Sequence, residues 1–126
     1  MTYYRQRTQG YKSLKSYQMS EIVFDATYKF CMRFLRKDWR TTDQMVQAAR
    51  SGKQNIAEGC MGASVSGAFE LKLICVARTS LEELLIDYHD FLRLRDLKIW
   101  NKYDEYAKEV RNLAYLSNRS YKTYKC

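Results

Sequence analysis

Not one of the 126 residues is proline. Proline removes a backbone donor and blocks helix interiors, so it ordinarily punctuates loops and helix ends. A chain of this length without it is suited to long helices joined by short turns. No segment alternates apolar and polar residues at period two for long enough to make a strand. There is no internal repeat and no low-complexity linker. With 46% hydrophobic residues the chain can fill one core, and a single domain is expected.

Four segments carry the helical period instead. The first spans about residues 16–36, where Met19, Ile22, Val23, Ala26, Phe30 and Phe34 form an apolar stripe. Arg33, Arg36 and Lys37 near its end complement the negative pole of the helix dipole. The second begins at Thr41 or Thr42, and Thr41 with Gln44 suits a capping box. Its expected core residues are Met45, Val46, Ala49, Ile56 and Ala57. Gly52 costs up to about 1 kcal/mol against alanine in a helix interior, a cost that close approach of a neighbouring helix would offset. Gly59 and Gly62 are expected to end the element.

The third segment, about residues 66–93, carries Leu73, Ile74, Ala77, Leu81, Leu84, Leu85, Tyr88 and Leu92 as its core stripe. Leu71, Cys75 and Ile86 make a thinner strip on the other side, either scattered surface apolars or a subunit contact. The fourth follows Asn101 as N-cap, with Asp104 and Glu105 in the first turn. Tyr103, Tyr106, Ala107, Val110, Leu113 and Ala114 are expected to face inward, and the pattern stops after Ser117. Short loops make consecutive helices antiparallel. The expected fold is therefore all-α: an antiparallel up-down-up-down four-helix bundle over residues 16–117. A basic, Tyr-rich arm (1–15) precedes it and a basic tail (118–126) follows.

Chemistry is conspicuous by what the residue pattern excludes. Cys31, Cys60, Cys75 and Cys126 form no C-x-x-C pair, and one histidine is too few for a metal site, so reduced thiols are expected, some of them in the core. Glu82-Glu83 and Asp87/Asp90 read as solvated charges, and the Glu-x-x-His signature of di-iron bundles is missing. His89 has no nucleophile or second ligand at helical spacing. Ser51-Gly52-Lys53 lacks the frame of a phosphate loop and lies inside a helix. We expect no enzyme, no cofactor and no metal. No apolar run approaches the roughly 18 residues of a membrane span, and the first residues lack a signal-peptide stretch. A cytoplasmic protein that does not contact membranes is expected.

Two blocks carry a resemblance. Ala48-Ala49-Arg50-Ser51-Gly52-Lys53-Gln54-Asn55-Ile56-Ala57-Glu58-Gly59 contains N-I-A-E-G at the end of the second helix. Phe69 through Leu84 contains F…L…A…S-x-x-E-L along the third. Together they resemble the four-helix-bundle family named after the 23S rRNA intervening-sequence protein, over roughly residues 16 to 116. The resemblance implies a cytosolic bundle that assembles as a ring-shaped homopentamer without known catalysis. A similar bundle is the accessory subunit of diversity-generating retroelements, where a basic pentamer binds the reverse transcriptase and its RNA. Arg78-Thr79, where many members carry a small residue, and the basic tails depart from the family pattern.

The shared blocks set Asn55 and Glu58 on consecutive turns of the second helix, and Ser80 and Glu83 likewise on the third. These four are expected to meet across the interface as a structural polar network that fixes register; contact with a ligand is the alternative.

The net charge of +8 is unevenly placed. Residues 1–20 carry Arg5, Arg7, Lys12 and Lys15 with no acid, and residues 111–126 carry Arg111, Arg119, Lys122 and Lys125 with none. The intervening 21–110 balances 14 bases against 14 acids. Tyr3, Tyr4, Tyr11, Tyr17, Tyr121 and Tyr124 interleave with these cations. Cations neutralise phosphates while aromatic faces stack on unpaired bases, so both parts of a single-strand binder are present. Solvated ends that aid solubility are the plainer reading. Arg50 and Lys53, one turn apart, would extend the basic surface or simply face solvent. The leading expectation is a homo-oligomeric scaffold that binds nucleic acid, RNA foremost, alone or with a reverse transcriptase. The alternative is a protein–protein adaptor ring with incidental tails.

Overall fold

A computed structural model describes residues 10–62 and 66–113. Among them the chain is all-helical, without a strand, and contains four α-helices: α1 (Lys15–Phe34), α2 (Trp39–Gly62), α3 (Gly67–Leu94) and α4 (Glu105–Leu113). A 3-10 turn, Tyr11–Ser13, leads into α1. The chain divides into two compact units, Met1–Asp87 and Tyr88–Cys126. That division runs across the 16–117 span read above as one bundle, and α3 is continuous through it.

In the first unit α2 is the central element. Its buried residues are Met45, Ala48, Ala49, Gly52, Ile56, Ala57 and Gly59, spaced by three and four and mostly small. Small side chains let neighbouring backbones come close. Gly52 shows the consequence: a Cβ built there would stand 2.7 Å from Leu81 Cδ2 of α3. The helical glycine is thus explained by the close approach expected for it. Gly59 lies inside α2, not at its end, because α3 passes there too; its Cβ would meet the Glu70 carbonyl at 3.4 Å and Leu73 Cβ at 3.5 Å. Gly62, the last residue of α2, faces the Phe69 ring. As α2 numbers rise from 52 to 62, their α3 neighbours fall from 81 to 69, so the pair is antiparallel. α1 runs antiparallel to α2 as well. Near the turn Thr42 Oγ1 donates to the Leu35 carbonyl at 3.2 Å, and at the far end Lys53 Nζ lies 5.9 Å from the Tyr17 ring.

The buried line of α1 differs from its expected stripe. Ser20, Thr27, Cys31 and the adjoining Leu35 are buried, whereas Met19, Ile22, Val23 and Phe30 are half-buried and Ala26 and Phe34 exposed. Small residues face the small face of α2, and this rotates the bulky side chains toward the flank. Ser20 satisfies its hydroxyl by donating to the Tyr17 carbonyl at 2.7 Å.

The start of α2 also differs. Asp38 caps it, its Oδ1 accepting from the Thr41 N–H at 3.0 Å, so Thr41 lies within the first turn. Ser66 caps α3 through the Phe69 N–H at 3.2 Å. On α3, Ala77 and Leu84 are buried, while Ile74 and Leu85 of the expected stripe are exposed along the flank. They line an apolar groove of about 390 Å³ with Ile56, Ala77 and Leu81. Leu71, Cys75 and Ile86 are exposed.

In the second unit α3 ends in a tight C-cap. The Leu97 N–H donates to the Leu92 carbonyl (2.9 Å) and the Asp96 N–H to the Arg93 carbonyl (3.2 Å), with Asp96 left-handed at φ 54°. Asp104 caps α4 through the Tyr106 N–H at 2.9 Å. Asn101, expected in that role, instead turns the preceding loop by accepting from the Tyr103 N–H at 3.0 Å. Tyr103 and Tyr106, expected inside, are 69% and 63% exposed, and Val110 is exposed too. Tyr106 stacks on Trp100, with ring centroids 5.3 Å apart, so the aromatic residues pair locally. The expectations for the Leu113 side chain and for Ala114 fall outside the described residues.

Candidate functional site

The α2–α3 interface holds a polar cluster in an otherwise apolar contact. Ser51 Oγ and Ser80 Oγ are 2.8 Å apart across it. Asn55 Nδ2 donates to the Ser51 carbonyl at 2.8 Å and to Ser51 Oγ at 3.0 Å. The expected residues Asn55 and Ser80 are therefore brought together, but through Ser51. Glu58 and Glu83 are exposed and stand outside the cluster. A serine in a helix carries no signal of a partner on the next helix, and this is why Ser51 escaped sequence reasoning.

Beside the cluster lies an open groove of about 580 Å³, lined by Gln44, Gln47, Ser51, Ser80, Glu83 and Asp87 among others. Amides, hydroxyls and two carboxylates can accept hydrogen bonds from cationic or amide groups. Among the described residues the lining holds neither histidine nor cysteine. Among the described residues no three or more of His, Cys, Asp and Glu gather to hold a metal. Cys31 is buried, Cys60 half-buried and Cys75 exposed, all as free thiols. Burial pushes the Cys31 thiol up from its ordinary value, and hydrogen bonding with Thr42 acts the other way by less. Tyr17 is also raised, first by burial and then by the Glu21 carboxylate. No described helix is long and apolar enough to cross a membrane.

The expected nucleic-acid residues fall into three groups. Arg5, Arg7, Arg119, Lys122 and Lys125 lie outside the described residues. Lys12 is exposed in the 3-10 turn, Lys15 at the start of α1, and Arg50 on α2. Lys53 is different: half-buried, it folds over α1, its Nζ 5.3 Å from the Phe24 ring centroid, and donates to Gln54 Oε1 at 3.0 Å. It therefore serves the α1–α2 contact by cation–π attraction more than an open basic surface.

One basic and aromatic group was not singled out from sequence. At the α1–α2 corner, Arg33 lies over the Phe34 ring at 5.2 Å and Arg40 over the Trp39 ring at 5.9 Å. Phe34 is 53% and Trp39 72% exposed. The signal was present in the run from Arg33 to Arg40, which has four cations and one acid. It was hidden because residues 21–110 sum to zero. No family model, no curated protein and no solved structure matches this chain.

Proposed function

We propose that this chain is a non-enzymatic scaffold, a basic homo-oligomer built on an antiparallel up-down-up-down four-helix bundle, that binds nucleic acid, RNA foremost. The observation that carries the reading is the segregation of charge, an excess of four cations at each chain end around a balanced centre. The resemblance of the two helical blocks to the rRNA intervening-sequence family supports it and suggests a pentamer, with a reverse transcriptase as candidate partner. Exposed apolar residues support assembly: Leu71 and Ile86 on one side of α3 leave apolar area for a second copy to cover. In such a ring each weak tail contact is repeated, and effective concentration turns several of them into firm retention of one long strand.

The test is retention of RNA by the full chain as salt is raised. Neutralising roughly six to ten phosphates costs about 10³- to 10⁵-fold in affinity between about 50 and 200 mM salt. Replacing Arg5, Arg7, Arg119, Lys122 and Lys125 by glutamine should weaken retention and flatten that dependence. Absence of any salt-dependent retention of RNA or DNA would remove the proposal. Sedimentation should also show a species several times the 15.0 kDa chain.

The same exposed apolar residues favour a second reading, a protein–protein adaptor ring with incidental tails. Affinity purification with and without nuclease separates the two. A partner that survives nuclease supports the adaptor, and one lost with the nucleic acid supports the scaffold.

A further inference from the structure

The corner between α1 and α2 concentrates features that the charged tails do not explain. Four cations, Arg33, Arg36, Lys37 and Arg40, surround one acid, Asp38. All five are exposed. None of the four cations forms an ion pair with another described residue. Asp38 Oδ1 is engaged in capping α2.

Helix electrostatics accounts for only part of this. Arg33, Arg36 and Lys37 suit the negative end of α1, and Arg36 Nε donates to the Met32 carbonyl at 3.2 Å. Arg40, however, stands in the first turn of α2, where a positive charge opposes the dipole. Nor does the dipole explain the Trp39 ring, left mostly facing water with the Arg40 guanidinium over it, whereas the Phe34 ring packs on Phe30 at 5.2 Å between centroids. The corner is also held in shape. Leu35 is buried between the two ring residues, and the Asp38 N–H donates to its carbonyl at 3.1 Å. Cations and ring faces are thus presented on a fixed turn, so little ordering cost attends binding.

We propose that this corner is a single-strand nucleic-acid contact, in which Trp39 stacks on a base while Arg33, Arg36, Lys37 and Arg40 neutralise phosphates. It rests on the nucleic-acid reading above but places a contact in the folded body instead of the tails. The chemistry favours a polynucleotide over a lipid surface. A ring that enters hydrocarbon must strip or drag along the guanidinium lying on it, which is costly. A base that stacks on the solvent side of Trp39 leaves the Arg40 guanidinium in place, beside the phosphates that it attracts.

The test uses the full chain carrying Trp100→Phe, which leaves Trp39 as the one tryptophan of two. Dye-labelled oligouridylate is titrated while its anisotropy and the Trp39 emission are followed together. Quenching of Trp39 in step with binding supports the proposal. In the chain with both tryptophans, Trp39→Ala should weaken binding roughly tenfold, whereas Trp39→Phe should retain most of it. Because Trp39 is mostly exposed, helical circular dichroism should be unchanged in both. Binding with constant Trp39 emission and an undiminished affinity in Trp39→Ala overturns the corner contact but leaves the tails as the interface. Absence of any oligouridylate or RNA binding by the unaltered chain removes the broader reading too. A blue shift with phosphatidylserine vesicles, without a response to oligouridylate, overturns the proposal in favour of a lipid surface.

Discussion

Leu81 of α3 lies directly over Gly52 of α2, so that a methyl group on the glycine would stand 2.8 Å from Leu81 Cγ and closer still to Cδ2. Two effects then oppose each other in Gly52→Ala. Alanine gains up to about 1 kcal/mol in helix propensity, while forcing a methyl into a filled contact costs typically about 1–3 kcal/mol. Cγ sits too near the α3 backbone to swing aside freely, so the steric cost should win. Gly52→Ala should lower the urea midpoint, with a net loss of about 1–2 kcal/mol. In the Leu81→Ala background the same change should cost far less, or even stabilise, because the clash is gone. An unchanged midpoint in the single variant would mean that the helices are less closely apposed.

The Ser51, Ser80 and Asn55 cluster makes a prediction about hierarchy. The Ser51 hydroxyl touches both partners, so Ser51→Ala removes a bond from each of Ser80 and Asn55, although Asn55 keeps its bond to the Ser51 carbonyl. Ser80→Ala leaves the Asn55–Ser51 bonds intact. Ser51→Ala should therefore cost more than Ser80→Ala, with Asn55→Ala near about 1 kcal/mol. A double-mutant cycle on Ser51 and Ser80 should give coupling of about 0.5–1.5 kcal/mol. If Asn55→Ala changed neither melting temperature nor assembly state, the cluster would have no structural role.

These two sites also mark what the sequence could and could not reveal. Helix existence was legible because apolar residues at spacings of three and four, uninterrupted by proline, leave few alternatives. The buried side of α1 was not, because Ser20, Thr27 and Cys31 do not register as apolar and only the small face of α2 makes them the closest neighbours. The start of α2 was read at Thr41 or Thr42, because Thr41 with Gln44 has the spacing of a capping box, whereas the cap is Asp38, three residues earlier. Asn55 and Ser80 were found through their place in recognisable blocks, but their link through Ser51 depends on register between helices, which no single-helix pattern carries. The Trp39 corner was obscured because its cations were counted together with distant acids.

Asp96 offers a test of backbone strain. It occupies the left-handed position that closes α3, at φ 54°, where glycine has no Cβ penalty. Asp96→Gly should stabilise the chain by up to about 1 kcal/mol, since relief of the left-handed cost of about 1–2 kcal/mol exceeds the added flexibility of the unfolded state. Asp96→Val, β-branched at the same φ, should do the reverse. Denaturant midpoints measure both. A gain from valine would show that the cap is not closed in the left-handed form.

The three described thiols should separate by chemistry and by pH. Cys31 is fully buried, and burial raises its pKa above the ordinary 9.0. The unfolded chain releases this proton at the ordinary value while the folded chain retains it. Above about pH 9 the unfolded state therefore binds fewer protons, and stability falls as pH rises; below it this group contributes no slope. Tyr17, raised from 10.0, adds to the decline at still higher pH. Cys31→Ala should remove the earlier part of that decline in urea titrations run between about pH 8 and 10. In native alkylation followed by mass mapping, Cys31 should be labelled last, and only as the chain opens. Cys75, exposed beside Leu71 and Ile86, should be labelled quickly in dilute protein and more slowly as concentration rises, because the proposed subunit contact would cover it. Labelling of Cys75 at a constant rate over all concentrations would count against that side of α3 as the contact.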